Sequence, residues 1–152
     1  MENKHLILIL VAVIAVVAVA AVVMFNGNGG QDVGGVKFNI PEKYAEDTNY
    51  TKNETDVELA DNFTVNASCK VFRNGSDAVR IFVYETASPA VAKEVYDNST
   101  ANPVPGAMEK TVNGKKVIAL TQNNIESYSY VQDQYMIVVE SPNETLLDSI
   151  VK

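Results

Sequence analysis

Two runs decide the fold: Asn62-Phe63-Thr64-Val65-Asn66-Ala67-Ser68-Cys69-Lys70-Val71-Phe72 and, after Asn74-Gly75, Ala78-Val79-Arg80-Ile81-Phe82-Val83-Tyr84-Glu85. In the first, Phe63, Val65, Ala67, Cys69 and Val71 alternate with Asn62, Thr64, Asn66, Ser68 and Lys70. A period of two places one set on a core face and the other toward water, the pattern of a half-buried strand. Asn-Gly is a preferred two-residue turn between antiparallel strands, so the two runs form a hairpin.

Downstream, Ser88-Pro89 supplies an N-cap and a first-turn proline, and Val91, Ala92, Val95 and Tyr96 recur at helical spacing, predicting a short amphipathic helix that ends near Asn98. After a stiff 102–106 loop the chain reads as an antiparallel meander: 107–112, an Asn113-Gly114 turn, 115–121, 126–132 and 135–140. Ser141-Pro142-Asn143-Glu144 has the form of a capping box, and Leu146, Leu147, Ile150 and Val151 make the apolar stripe of a closing helix. Upstream, residues 36–40 read as a short strand stopped by Pro41, and 39–61 as a loop-rich excursion with an edge strand near 57–60. The expected fold is therefore α+β: one mainly antiparallel sheet of about six strands, with two short helices capping one face.

The beginning of the chain differs. Residues 6–25 hold no charge or amide and are drawn almost wholly from Leu, Ile, Val and Ala. At about 1.5 Å per residue they make a helix of roughly 30 Å, the thickness of a bilayer core. Lys4 and His5 precede the run, while residues 26–36 contain no Lys or Arg. By the positive-inside rule the N-terminus is cytoplasmic and the rest lies outside the cell. The organisation expected is a cytoplasmic stub (1–5), a transmembrane anchor (6–25), a Gly-rich tether (26–35) and an extracytoplasmic domain (36–152), in a single-pass protein of the cell membrane whose first partner is the lipid bilayer. Ala18-Val19-Ala20 is a small-x-small site, so a signal peptide cleaved near Ala20 is the alternative.

Charge and rare residues exclude several functions. From Asp32 onward there are 11 Lys plus Arg against 18 Asp plus Glu, which repels nucleic acid and anionic lipid. The only histidine is His5, so no Ser-His-Asp or Cys-His catalysis and no His-ligated zinc can be built outside. Cys69 is the only cysteine, and its place in the alternation reads as a buried, unpaired thiol. Asp47, Glu54, Asp56, Glu58 and Asp61 lack the spacing of a calcium loop and read as solvated surface, with a weak Ca²⁺ site as the alternative. Tyr128, Tyr130 and Tyr135 read as ordinary strand residues, with an exposed sugar-binding face as the alternative. No catalytic, metal or cofactor site is expected, and the chain does not read as an enzyme.

One signal exceeds background. Asn-x-Ser/Thr occurs at Asn49, Asn53, Asn62, Asn66, Asn74, Asn98 and Asn143, which is 7 of the 12 Asn residues from Asn39 onward. Composition alone predicts roughly two. The first six are candidate N-glycosylation sites; Asn143, in the first turn of the closing helix, is expected to be modified rarely or never.

The segments VKFNIPEKY, NGSDAVRIFVYE, TVNGKKVIAL, SYSYVQDQYMIVVE and the closing LLDSIV helix together resemble the uncharacterised, N-terminally anchored surface proteins of methanogenic archaea. In strand order the chain is also similar to PsbP-like domains, in which a strand of the form x-F-x-I-P opens an antiparallel sheet covered by helices. Neither resemblance lends a catalytic residue. The anchor and the excess of acceptor sequons lead to the first expectation, a glycosylated extracellular domain with an envelope or interaction role and an envelope protein or glycan as partner. The PsbP-like resemblance implies the alternative, a small-ligand carrier or accessory subunit of a membrane complex.

Overall fold

The computed structural model describes residues 30–58 and 63–151. The stub, the anchor, the start of the tether, Asp61 and Asn62 lie outside the described residues. Among those described, no helix is long and apolar enough to cross a membrane.

Alternating side chains and turn residues generate a sheet of eight antiparallel strands rather than about six. Strands β1 (Gln31–Val33) and β2 (Val36–Phe38) form a separate small hairpin. The main sheet contains β3 (Ala45–Glu46), β4 (Lys52–Glu58), β5 (Thr64–Asn74), β6 (Asp77–Glu85), β7 (Met108–Val112), β8 (Lys115–Gln122), β9 (Ile125–Gln132) and β10 (Tyr135–Ser141). Their order is β3-β5-β6-β10-β9-β8-β7, with β4 also paired to β5. The two further strands come from the excursion expected to be loop-rich: β4 takes the place of the edge strand expected near 57–60 but starts earlier, β3 was not expected, and both pair with successive parts of the long β5. Asn113-Gly114 and Asn123-Asn124 carry positive φ at both central positions, the backbone that a tight hairpin turn demands.

Helix α1 (Pro89–Ala101) starts, as expected, at Ser88, whose side chain accepts from the Val91 amide, but it runs past Asn98. Helix α2 (Glu144–Ile150) starts later than the capping-box reading predicts: Asn143 is the N-cap, its side chain accepting from the Leu146 amide. Ser141 is instead the last residue of β10. It is buried, with its hydroxyl donating to the Ala78 carbonyl and accepting from the Asn143 amide.

The helices do not share a face. On one side, Leu146, Leu147 and Ile150 of α2 join Phe72, Val79, Ile81, Val83, Tyr128, Ile137 and Val139. Val33, Val36 and Phe38 of the small hairpin complete that core. On the other side, Ala92 and Val95 of α1 pack on Val65, Tyr84, Met136 and Val138. Sheets packed on both faces read as continuous apolar runs, as β10 (YMIVVES) does. The expected tether is cut short in consequence. Val33 is fully buried, and a Cβ on Gly34, which has φ of +60°, would lie 3.0 Å from Ser68, so residues 31–35 belong to the folded domain.

Candidate functional site

The acceptor asparagines are placed by the strands around them. Asn49 lies in the 3-10 turn between β3 and β4, Asn53 on β4, Asn66 on β5 and Asn74 at the end of β5, all exposed and all on the flank of the sheet opposite β7. Asn98 is exposed in the last part of α1. Asn66 accepts a 3.2 Å hydrogen bond from the Asp56 amide through Oδ1, which is not the atom a glycan uses. Asn143 differs. It is half-buried, its Oδ1 holds the Leu146 amide at 3.2 Å, and its Nδ2 donates to Asp77 Oδ2 at 2.9 Å. The Tyr44 hydroxyl donates to the same Asp77 oxygen at 2.6 Å, and burial with that carboxylate pushes its pKa up to about 12.

The other residues singled out in the sequence do not converge. Cys69 is free but only half-buried, because β5 faces the sheet's flank there rather than its centre. Burial still pushes the thiol up to about 11, away from a reactive thiolate. Tyr128 and Tyr130 are core residues and Tyr135 is half-buried, so the three make no exposed aromatic face. The Tyr128 hydroxyl donates to Asp148 Oδ1 at 2.6 Å. Asp47 is held by Arg73 at 2.7 Å, whereas Glu54, Asp56 and Glu58 are exposed along β4. Among the described residues no group of three or more His, Cys, Asp or Glu is placed to hold a metal ion.

The sequence reading missed one buried charged pair. Glu140, fully buried on the α1 face of β10, lies opposite Arg80 of β6. Arg80 Nε and Nη2 both donate to Glu140 Oε1, at 3.0 and 2.8 Å, and the guanidinium lies 5.0 Å from the Phe82 ring centre. Glu140 Oε2 has no hydrogen-bond partner among the described residues. Desolvation raises the carboxyl to about 7, with Arg80 pulling the other way. The signal was available: in two strands with apolar residues on both faces, a lone acid and a lone base invite pairing. With no exposed surface, however, this carboxyl cannot meet a substrate.

A groove of about 520 Å³ lies between α1 and the β7–β9 side, lined by Lys93, Tyr96, Asp97, Glu109, Lys116 and Val131 among others. Most of its charges face each other: Lys93 meets Asp97 at 2.6 Å, Lys116 meets Glu109 at 3.9 Å, and the Tyr96 hydroxyl donates to Glu109 at 2.9 Å, while Lys115 lies over the Tyr130 ring at 5.2 Å. The groove has hydrogen-bonding capacity but no nucleophile beside a base.

Comparison with protein-family models, with curated proteins and with solved structures returns no match.

Proposed function

We propose that this chain is a membrane-anchored, N-glycosylated surface protein whose extracytoplasmic domain serves an envelope or interaction role without catalysis. The supporting observation is the division among the acceptor asparagines. Asn49, Asn53, Asn66, Asn74 and Asn98 are exposed at positions where a glycan meets water, and among the described acceptors only Asn143 is tied into the fold by both side-chain atoms. The apolar, uncharged 6–25 run and the basic residues before it support the anchor. The carrier reading calls for an enclosed pocket with convergent polar groups, whereas the groove beside α1 is open and Lys93, Asp97, Tyr96 and Glu109 are already paired. Peptide mass spectrometry of protein from its native host tests the proposal: glycans are expected on several of the five exposed sites, and wholly unmodified peptides would overturn it. Protease added to intact cells should remove the domain and leave a membrane fragment beginning at Met1; full protection would overturn the topology.

A further inference from the structure

Helix α1 covers only part of its side of the sheet. Ala92 and Val95 turn in against Met136 and Val138, and the neighbouring flank of the helix carries Lys93, Tyr96, Asp97 and Thr100, the i, i+3, i+4, i+7 spacing of one helix face. The sheet continues past the helix through β9 and β8 to β7. Lys116 lies on the α1 side of β8, because its neighbour Val117 faces the α2 cluster, and Glu109 of β7 pairs with Ile118 on that same side. The helix flank and this strip of sheet are the walls of the groove, with Val131 of β9 between them.

The groove is neutral in sum. Lys93 and Lys116 balance Asp97 and Glu109, and the Lys115 ammonium is turned away over the Tyr130 ring, which belongs to the α2 cluster. What the groove offers is hydrogen bonding of both signs beside hydrocarbon. Tyr96 takes Glu109 Oε2 and Lys93 takes Asp97 Oδ2. Asp97 Oδ1 and Glu109 Oε1, which is 3.9 Å from Lys116, are left to accept from a ligand. The Lys93–Asp97 pair is exposed on both sides, and so exposed an ion pair contributes little, so a ligand opens it at small cost. Tyr96 and Val131 are half-buried and present apolar surface.

A sugar ring matches that combination. Its hydroxyls donate to carboxylates and accept from ammonium groups, while its C–H face lies on aromatic or aliphatic side chains. A groove of about 520 Å³ is in the range of small-ligand sites and is open enough for a chain of sugars to leave it. The acceptor asparagines bring such a ligand close. Asn98 directly follows Asp97, and Thr100, which completes its sequon, lines the groove. Strands β7 to β10 carry no acceptor asparagine, so the sheet wall stays clear of the chain's own glycans.

Resting on the glycosylated reading above, we infer that the groove between α1 and β7–β9 is a saccharide-binding site for sugars of the N-glycans that this chain carries. The glycan at Asn98 of the same molecule and the glycans on the β4–β5 flank of another copy present this chemistry alike.

The test titrates the ¹⁵N-labelled full chain, made in a host without N-glycosylation and held in a sugar-free detergent, with cellobiose, with N,N′-diacetylchitobiose and with the oligosaccharide released from the protein of its native host. Shift changes at the amides of residues 93–100, 109, 116 and 131 are expected, with millimolar affinity for a disaccharide and tighter binding of the released glycan. Asp97→Asn and Glu109→Gln should each weaken binding about fivefold or more, since an amide oxygen accepts more weakly than a carboxylate. Glu42→Gln, exposed on the segment before β3, should leave it unchanged. No shifts at these amides with any of the sugars overturns the inference. So does inorganic phosphate saturating the same amides at lower concentration than the sugars, because the groove would then be an anion site. If mass spectrometry finds no glycan on the host protein, the glycosylated reading falls, and the two disaccharides alone decide whether the groove binds sugar.

The source is read separately. Unlabelled glycosylated protein that shifts the same amides of the labelled chain shows that glycans of another copy enter the groove. Host protein that gives saturation transfer to cellobiose only after Asn98→Gln shows that the chain's own glycan fills it. A glycosylated host protein that does neither overturns the assignment of the ligand.

Discussion

The two faces of the sheet are built from the same strands yet do different work. On the α2 face, side chains from α2, from the β1–β2 hairpin and from six strands of the main sheet form one continuous apolar cluster. Its polar groups sit at the rim, where Tyr44 and Tyr128 hydroxyls reach Asp77 and Asp148. On the α1 face the fully buried cluster is smaller, Val57, Phe63, Ala67, Phe82 and Val131 stay partly open, and a buried carboxylate, Glu140, lies on the same side of β10 beyond Val138. Shallow alternation specifies a strand on either face, but only the first face has the depth to hold the domain together. The second has room for a charged pair because less hydrocarbon depends on it.

The largest expected effect tests that asymmetry. Leu147 is fully buried against the α2-face cluster, so Leu147→Ala should cost about 2–5 kcal/mol in urea unfolding of the detergent-solubilised protein. Val95→Ala on the α1 face removes two methyl-sized groups from a thinner cluster and should cost about 1–2 kcal/mol. Equal costs would mean that both faces carry the fold alike.

Glu140 gives the α1 face a pH dependence in the acid-to-neutral range, whereas the raised tyrosines of the α2 face, Tyr44 and Tyr128, act only at alkaline pH. Its folded pKa of about 7 lies above the ordinary value of 4.5, so folding favours the protonated form. The stability from this group is therefore fully present below about pH 4.5 and is lost as pH rises through about 7. The loss is on the order of 3 kcal/mol, at 1.36 kcal/mol per pKa unit. Glu140→Gln should flatten the stability profile between those pH values relative to the parent. Parallel profiles for the two proteins would show that Arg80 compensates the charge in full.

A smaller effect tests whether the amino-terminal hairpin belongs to the α2 face. Gly34→Ala forces a side chain into positive φ and against Ser68, and should cost on the order of 1–2 kcal/mol. A neutral result would mean that β1 and β2 do not pack as described.

How much of this was legible in the sequence differs by element. The β5–β6 hairpin and the meander were readable because apolar alternation and Asn-Gly turns report local geometry directly. Of the small hairpin only its second strand, expected over 36–40 and found as β2, was readable; its first strand and turn were not, since Gly34 and Gly35, at φ of +60° and +95°, look the same in sequence whether they make a tether or a tight turn. Nor could periodicity assign the helices to faces: it reveals an apolar stripe, while the side that the stripe meets depends on how α1 crosses from β6 to the far strand β7. Ser141-Pro142-Asn143-Glu144 misled for a local reason. Both Ser141 and Asn143 are good caps, and pairing of Ser141 with Glu126 in β9 extends the strand and leaves Asn143 to start the helix. The Glu140–Arg80 pair left only a partial signal, a lone acid and a lone base in two strands apolar on both faces, and the register β10–β6 is what sets them opposite one another.

The smallest effect separates acceptor asparagines that the fold uses from those it leaves to solvent. Asn143 contributes a cap to α2 and a hydrogen bond to Asp77, and Asp77 also receives the Tyr44 hydroxyl from the segment that follows the small hairpin. Removing it leaves an unfilled helix amide and takes one of two donors from a half-buried carboxylate, so Asn143→Ala should cost about 0.5–2 kcal/mol. Asn74→Gln, in an exposed turn a few residues from the same carboxylate, should stay within about 0.5 kcal/mol. A glycan would be attached through Nδ2, the atom with which Asn143 donates to Asp77, so modification and that donor role compete for one nitrogen. The asparagine whose loss destabilises the protein should therefore be the one found unmodified by mass spectrometry. A fully glycosylated Asn143, or an Asn143→Ala variant as stable as Asn74→Gln, would break the link between the fold and the glycan pattern.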